Sequence, residues 1–202
     1  MDYVKHLERL QLTRDNIYDY KKVVLDRVNG LVLDVGCGTG RLMKIIKSKC
    51  DVKGIDIDSG NVRHCLKEGL DVRKGSVAKI PFRDNSFDFC VCWNLLEHLE
   101  RDELMNASKE LIRVTKRGGR IIVHSPSFNP SFWDTPDHTY PVSEERLNRL
   151  FNQAKNIEFI NYHIPKLKGL LIGKLSMPAL YDTMLKIVPL RGKGMTTAII
   201  EK

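Results

Sequence analysis

Residues 31–40 read Leu31-Val32-Leu33-Asp34-Val35-Gly36-Cys37-Gly38-Thr39-Gly40. A short, nearly unbroken apolar run is the mark of a strand buried on both faces. Here it ends in glycines at 36, 38 and 40, which permit an unusual turn and let a ligand approach the backbone. The chain then enters Arg41–Lys49, where Leu42, Ile45 and Ile46 share one helical face. A strand, a glycine turn and a helix in this order present backbone N–H groups to an anionic or electron-rich ligand. The spacing is Gly-x-Gly-x-Gly. The dinucleotide fingerprint, Gly-x-Gly-x-x-Gly, would need glycine where Arg41 stands, and no Gly-Lys-Ser/Thr follows to make a phosphate loop. A nicotinamide dehydrogenase is therefore disfavoured. Asp34, in front of the loop, can meet a cationic ligand or hold the loop itself.

Outward from this junction, strand and helix patterns alternate. Leu7–Val28 carries apolar positions at helical spacing and reads as one or two helices closed by Asn29-Gly30. Val52–Ile57 reads as the second strand, Gly60–Glu68 as a helix and Asp71–Arg73 as a short third strand. Phe87–Trp93 is the fourth, with Phe87, Cys90 and Trp93 as core residues; Leu99–Val114 is a helix and Arg120–His124 the fifth strand. Such alternation implies an open parallel sheet covered on both faces. After Ser125 the pattern changes. Pro126–Val142 holds four prolines and the aromatics Phe128, Phe132, Trp133 and Tyr140. A loop of this length is usually functional and mobile without ligand. Ser143 then caps a helix through Gln153, with Glu144 and Glu145 favourable in its first turn. Strands at Ile157–Ile164 and Met195–Ile200 finish the chain.

The chain has 202 residues, 42% hydrophobic and 29% charged, which suits a soluble globular domain over residues 1–202 rather than a disordered one. No signal peptide is visible, and the most apolar stretch, 167–190, is interrupted by Lys168, Lys174, Pro178, Asp182 and Lys186, so no membrane span is expected. The five cysteines, Cys37, Cys50, Cys65, Cys90 and Cys92, include no Cys-x-x-Cys pair; packed thiols in a reducing cytoplasm fit. A net charge of +8 and a pI near 9.3 favour acidic partners such as nucleotides, phospholipids or RNA.

Asp56 closes the second strand, one strand–helix–strand length after Asp34. A carboxylate at that place can accept both hydroxyls of a ribose, or it can be a solvated strand-end carboxylate or a helix cap. Five segments now stand in order: Leu33–Gly40, Gly54-Ile55-Asp56-Ile57, Gly75–Phe82, Asp84-Asn85-Ser86-Phe87-Asp88 and Asn94-Leu95-Leu96-Glu97-His98-Leu99. Over Leu31 to about Phe151 they resemble the class I S-adenosylmethionine (SAM)-dependent methyltransferases of the type 11 group, which includes relatives of ubiquinone-biosynthesis methyltransferases. The resemblance implies an α/β, Rossmann-like, mostly parallel seven-stranded sheet with helices on both faces and the last strand antiparallel. It implies SAM as cofactor. Asp34 and the loop of Gly36, Cys37, Gly38 and Gly40 would face its methionine part, Asp56 its ribose and Ile57 its adenine, with Asn94 lining the site. Ser76 stands where relatives commonly carry an aspartate that contacts the adenine amino group; Val77 can offer its backbone instead, and Ser76 can equally be a plain loop serine.

Methyl transfer from a sulfonium releases a neutral sulfide, so most of the enzyme's task is to position the acceptor, and a base is needed only if the acceptor must lose a proton. Acceptor-side candidates follow the fifth strand: His124, Asn129, Trp133, Asp137, His138 and Tyr140. Asp137-His138-Thr139-Tyr140 resembles a His-x-Tyr or His-x-Phe element of the family that lies over the active site. His138 is the first choice for a base or acceptor contact, with Tyr140 and His124 next; ordering the loop is the alternative role for His138. Glu97-His98 reads chiefly as the start of a helix. The histidines at 124, 138 and 163 match no metal-ligand spacing, so no metal is expected. Residues 165–193 mix apolar and basic side chains. They read either as a helix packed on the sheet or in a dimer interface, or as a lid with a basic rim touching a membrane surface.

The function expected is methyl transfer to a small-molecule or lipid-like acceptor. The alternatives are an RNA methyltransferase and a SAM-binding protein without catalysis. Against RNA, Asn94-Leu95-Leu96-Glu97 is not the Asn/Asp-Pro-Pro-Tyr/Phe used on exocyclic amines, and no separate RNA-binding domain is visible.

Overall fold

The computed structural model describes residues 21–127, 130–160 and 195–202. Seven strands form one sheet: β1 (Leu31–Val35), β2 (Asp51–Asp56), β3 (Val72–Lys74), β4 (Phe87–Trp93), β5 (Thr115–Pro126), β6 (Asn156–Phe159) and β7 (Met195–Glu201). Their order is β3-β2-β1-β4-β5-β7-β6. β7 runs antiparallel to both neighbours, and every other pairing is parallel. The helices are α1 (Arg41–Ile46), α2 (Ser59–Lys67), α3 (Arg101–Val114) and α4 (Glu144–Leu150). Short 3-10 turns lie at Leu96–His98 and Pro130–Asp134.

Side chains alternate across a strand, and the sheet has an apolar layer on each face. Leu33, Val35, Cys90, Cys92, Ile121 and Val123 pack with Leu104, Ala107 and Leu111 of α3 and with Leu147 of α4. Their sequence neighbours Val32, Val91, Trp93 and Ile122 point the other way, onto Val23, Val24 and Val28 and onto Leu42 and Ile46 of α1. A third cluster joins Met43 of α1 to Val62 and Cys65 of α2. The Rossmann-like class expected from the sequence is thus the fold observed.

Local chemistry sets several boundaries. Asp58 caps α2 by accepting the Asn61 N–H at 2.7 Å, and Ser143 caps α4 by accepting that of Arg146 at 3.1 Å. α1 stops at Ile46, short of Lys49, in a turn where Lys49 and Cys50 both donate to the Ile46 carbonyl. α4 stops at Leu150, short of Gln153. β5 is much longer than Arg120–His124. Gly118-Gly119 lies inside it at a register shift between Phe87 and Phe89, and β7 pairs with its far end as far as Pro126. Most of the N-terminal helices expected before residue 29 lie outside the described residues; Lys21–Leu25 is a single π-helical turn. Phe128, Asn129, His163 and the segment 165–193 also lie outside them, and β6 is described to Phe159.

The order of strands reverses between β1 and β4. Ligands in open parallel sheets bind at the carboxyl ends of the strands beside such a switch point. Residues 36–40, 57, 76 and 94 follow the carboxyl ends of β1, β2, β3 and β4.

Candidate active site

Gly36, Gly38 and Gly40 all have positive φ (71°, 51° and 74°), a region that L side chains enter only at a cost. A Cβ on Gly40 would lie 2.3 Å from Leu70 Cδ1, so that position needs glycine for packing too. A Cβ on Gly38 would meet nothing within 4 Å: the middle of the loop faces open space. Two backbone donors, Gly36 and Cys37, reach the Ile55 carbonyl at 2.9 Å each and tie the loop to β2. The Cys37 side chain is buried beside Gly54, and burial, with the Asp34 charge next, pushes its thiol well above the usual range. Cys37 therefore offers a ligand its backbone and not its sulfur.

Two carboxylates sit behind the loop. Asp56 accepts the Gly38 N–H at 2.7 Å on Oδ2, and the Asp58 N–H at 2.8 Å and the Asn61 amide at 3.3 Å on Oδ1. It is one connected carboxylate, bound to the glycine loop and to the start of α2 together. Asp34 is buried, and its Oδ2 has no hydrogen-bond partner among the described residues. Burial first, then the Asp56 charge, raises its carboxyl to about 7. Ile57, next to Asp56, is 68% exposed, a large apolar side chain left to solvent at the strand end. Ser76 Oγ accepts the Ala78 N–H at 3.1 Å, and Val77 packs into the core, which leaves its backbone as the part near a ligand. Asn94 is exposed with φ 49°, and its N–H donates to the His124 carbonyl at 2.8 Å. A buried carboxylate oxygen without a partner, open space over Gly38 and a bare apolar side chain fit a cationic nucleoside ligand such as SAM.

The acceptor-side candidates separate into two groups. His124 is buried in the sheet, stacked on Trp93 at 3.9 Å and 2.7 Å from Thr197 Oγ1, and burial takes its imidazole down to about 3. It stays neutral, packed between Trp93 and Thr197 of the neighbouring strands. His138 is half-buried on that segment. Its Nδ1 lies 2.9 Å from the Phe132 carbonyl and its ring packs against Phe132; burial, the largest influence, lowers its pKa. Tyr140 and Trp133 are exposed, with Arg146 stacked over the Tyr140 ring.

A further residue joins the site. Glu97 is buried, and its Oε2 accepts the Ser125 hydroxyl at 2.6 Å. Its carbonyl accepts the Thr139 N–H at 2.8 Å and the Thr139 hydroxyl at 2.9 Å. These bonds pin the segment containing His138 to the end of β4. The 3-10 turn at Leu96–His98 agrees with Glu97-His98 as a helix start, but the buried carboxylate does more than that. The signal in the sequence was an acidic residue inside the apolar run Leu95-Leu96-Glu97-His98-Leu99.

Residues 33–123 match the family model described as "Methyltransferase domain", of the type 11 group. The chain is 33% identical over 132 residues to a probable S-adenosylmethionine-dependent methyltransferase of Mycolicibacterium smegmatis, covering 61% of this chain and 50% of that protein. It is 30% identical over 95 residues to the tRNA (carboxymethyluridine(34)-5-O)-methyltransferase of Xenopus tropicalis, covering 46% of this chain and 15% of that one. The chain thus spans half or less of the length of these curated relatives. The structure of a SAM-dependent methyltransferase from Archaeoglobus fulgidus superimposes with a TM-score of 0.78 over 100% of both chains at 18% identity, a likeness of fold. Residues 33–123 are thus similar to a methyltransferase domain, on a Rossmann-like fold shared with a SAM-dependent methyltransferase.

Proposed function

We propose that this chain transfers a methyl group from SAM to a small-molecule or lipid-like acceptor. The acceptor would sit between the carboxyl ends of β4 and β5 and the segment 130–142. The observation that carries the reading is the niche behind the glycine loop: Asp56 bound to the Gly38 amide, the exposed Ile57 beside it and the unpartnered Asp34 oxygen. When bound, the cofactor supplies an electrophilic methyl on a sulfonium that departs as a neutral sulfide. Asp34 and the open face of the Gly36–Gly40 loop take the methionine part. Asp56 accepts from the ribose, Ile57 packs on the adenine with Ser76 and the Val77 backbone at its edge, and Asn94 borders the site. His138 meets the acceptor, and Tyr140 supports it from the same segment. His124 acts through packing against Trp93 and Thr197 rather than through contact.

A small acceptor is favoured over RNA because the stretch shared with the tRNA methyltransferase family covers less than half of this chain. The net charge of +8 supports RNA as the second reading.

The test is methyl transfer from radiolabelled SAM to three pools: small polar metabolites, lipid extract and total RNA. Label in either of the first two, reduced in His138→Gln with S-adenosylhomocysteine affinity unchanged, is the expected result. Label only in RNA would replace the acceptor assignment. Binding without turnover would leave a SAM-binding protein, and NAD binding more tightly than SAM in calorimetry would end the methyltransferase reading.

A further inference from the structure

Glu97, His98 and His138 come together from two segments far apart in the chain, the turn after β4 and the stretch after β5. Each offers one donor atom, and the three atoms lie within 4.8 Å of one another. Glu97 is 1% exposed, and its Oε1 has no hydrogen-bond partner among the described residues. That oxygen lies 3.9 Å from His98 Nε2, beyond hydrogen-bond length. A buried acceptor left without a partner is costly, the more so when charged.

Both imidazoles are oriented from behind. His98 Nδ1 lies 3.1 Å from the Asp137 carbonyl oxygen and 3.3 Å from Asp137 Oδ2. His138 Nδ1 lies 2.9 Å from the Phe132 carbonyl oxygen. An Nδ1–H donated to a carbonyl fixes the tautomer and leaves the lone pair on Nε2, which is how metal-bound histidines are held. Among the described residues, the atoms left without a hydrogen bond are then one carboxylate oxygen and two imidazole nitrogens. That donor set suits divalent first-row metals that keep open coordination positions.

We propose that Glu97, His98 and His138 bind a divalent first-row metal ion, with the remaining coordination positions left to water or to an oxygen of the acceptor. Only the acceptor clause rests on the methyl-transfer reading; metal binding does not. Of the three histidines whose spacing matched no ligand pattern, His138 takes part and His124 does not, and His163 lies outside the described residues. Glu97 enters because the fold, not the spacing, brings it to the site. A cation at Oε1 would give that buried oxygen the partner it lacks among the described residues. The ordinary alternative is an ion pair between protonated His98 and Glu97, which needs no metal and does not involve His138.

The test uses the full chain after chelator treatment and dialysis. Manganese is titrated in and free ion is counted by electron paramagnetic resonance; zinc is added as competitor. Manganese is chosen because it has little affinity for the five thiols. One ion per chain is expected, with affinity at least about tenfold lower in His98→Gln, in His138→Gln and in Glu97→Gln. Asp137→Asn, which removes an orienting carboxylate, should weaken it about tenfold as well. S-adenosylhomocysteine affinity unchanged in the two histidine variants verifies that they fold. Absence of saturable binding of either metal, or binding that survives both histidine variants, overturns the proposal. Binding that depends on these residues in a chain that fails to bind S-adenosylhomocysteine would keep the metal site and sink the methyltransferase reading.

Discussion

Replacing Asp34 with asparagine tests the cofactor niche through stability as well as affinity. The Asp34 carboxyl is raised from 3.8 to about 7, first by burial and then by the Asp56 charge. An acid whose folded pKa lies above its unfolded value holds its proton more tightly in the native chain. Its contribution to stability is therefore full below about pH 3.8 and is lost as pH rises through 7. At ~1.36 kcal/mol per pH unit, that loss is on the order of 4 kcal/mol. Asp34→Asn keeps the shape and removes the ionisation, although the buried amide still costs about 1–3 kcal/mol if its donors go unpaired. Without ligand at pH 8, the variant should be more stable than wild type by roughly 2 kcal/mol, or about 4–8 °C in Tm for a chain of this size. At pH 4 the advantage should vanish or reverse. Melting curves of both proteins from pH 4 to pH 8 supply the difference that isolates Asp34. A difference that stays constant with pH would refute the assignment of a strained carboxyl. The ligand should reverse the order: if Asp34 faces a cationic group, S-adenosylhomocysteine binds the variant about 10–100-fold more weakly, from the roughly 1.5–3 kcal/mol of a hydrogen bond to a charged group. Near pH 6 its binding should also release a proton from wild type and none from the variant, seen as a buffer-dependent calorimetric enthalpy.

Two further substitutions separate ligand contact from fold. Asp56→Ala removes the acceptor of the Gly38, Asp58 and Asn61 donors, so it should cost about 2 kcal/mol in urea unfolding and weaken SAM strongly in calorimetry; unchanged SAM affinity would take Asp56 out of the site. Gly38→Ala has open space around its new methyl and should lose only about 1 kcal/mol to its positive φ. Gly40→Ala drives a methyl into Leu70 and should lose about 3 kcal/mol. If the space over Gly38 is where the cofactor lies, Gly38→Ala should bind S-adenosylhomocysteine at least tenfold more weakly while remaining folded, and equal affinity would place the ligand elsewhere.

The readable part of this fold is the part with short-range logic. Leu31–Val35 and Phe87–Trp93 have the predicted bounds because each is an apolar run closed by a polar or glycine turn. The caps at Asp58 and Ser143 are local hydrogen bonds, and the Ser143 cap is foreseen from its residue type and the glutamates that follow. β5 misleads because Gly118-Gly119 reads as punctuation, while its actual length is set by β7, which begins nearly seventy residues later as the chain is numbered. The surroundings of His124 are hidden from the sequence in the same way. Its position at the end of a strand suggests chemistry, but its partners, Trp93 and Thr197, belong to the neighbouring strands on either side, and only the sheet order brings them to it.

The same distinction divides the site. Asp34, the glycine loop, Asp56, Ile57, Ser76 and Asn94 lie at successive strand ends between residues 34 and 94, so a linear motif can mark them and a family model over residues 33–123 contains them all. The half proposed for the acceptor is joined across the chain: Ser125 donates to Glu97, and Thr139 donates to the Glu97 carbonyl. Both of those donors lie beyond the matched stretch. A change in the segment 130–142 can therefore alter what lies over the site without touching the cofactor loop, provided the bonds to Glu97 survive. Glu97 belongs to both halves, within the matched stretch by position and bonded to Ser125 and Thr139 of the half proposed for the acceptor. Its burial strengthens the coupling, because the Ser125 hydroxyl on Oε2 is a hydrogen bond shielded from water, and losing it would leave the carboxylate buried with neither oxygen partnered among the described residues.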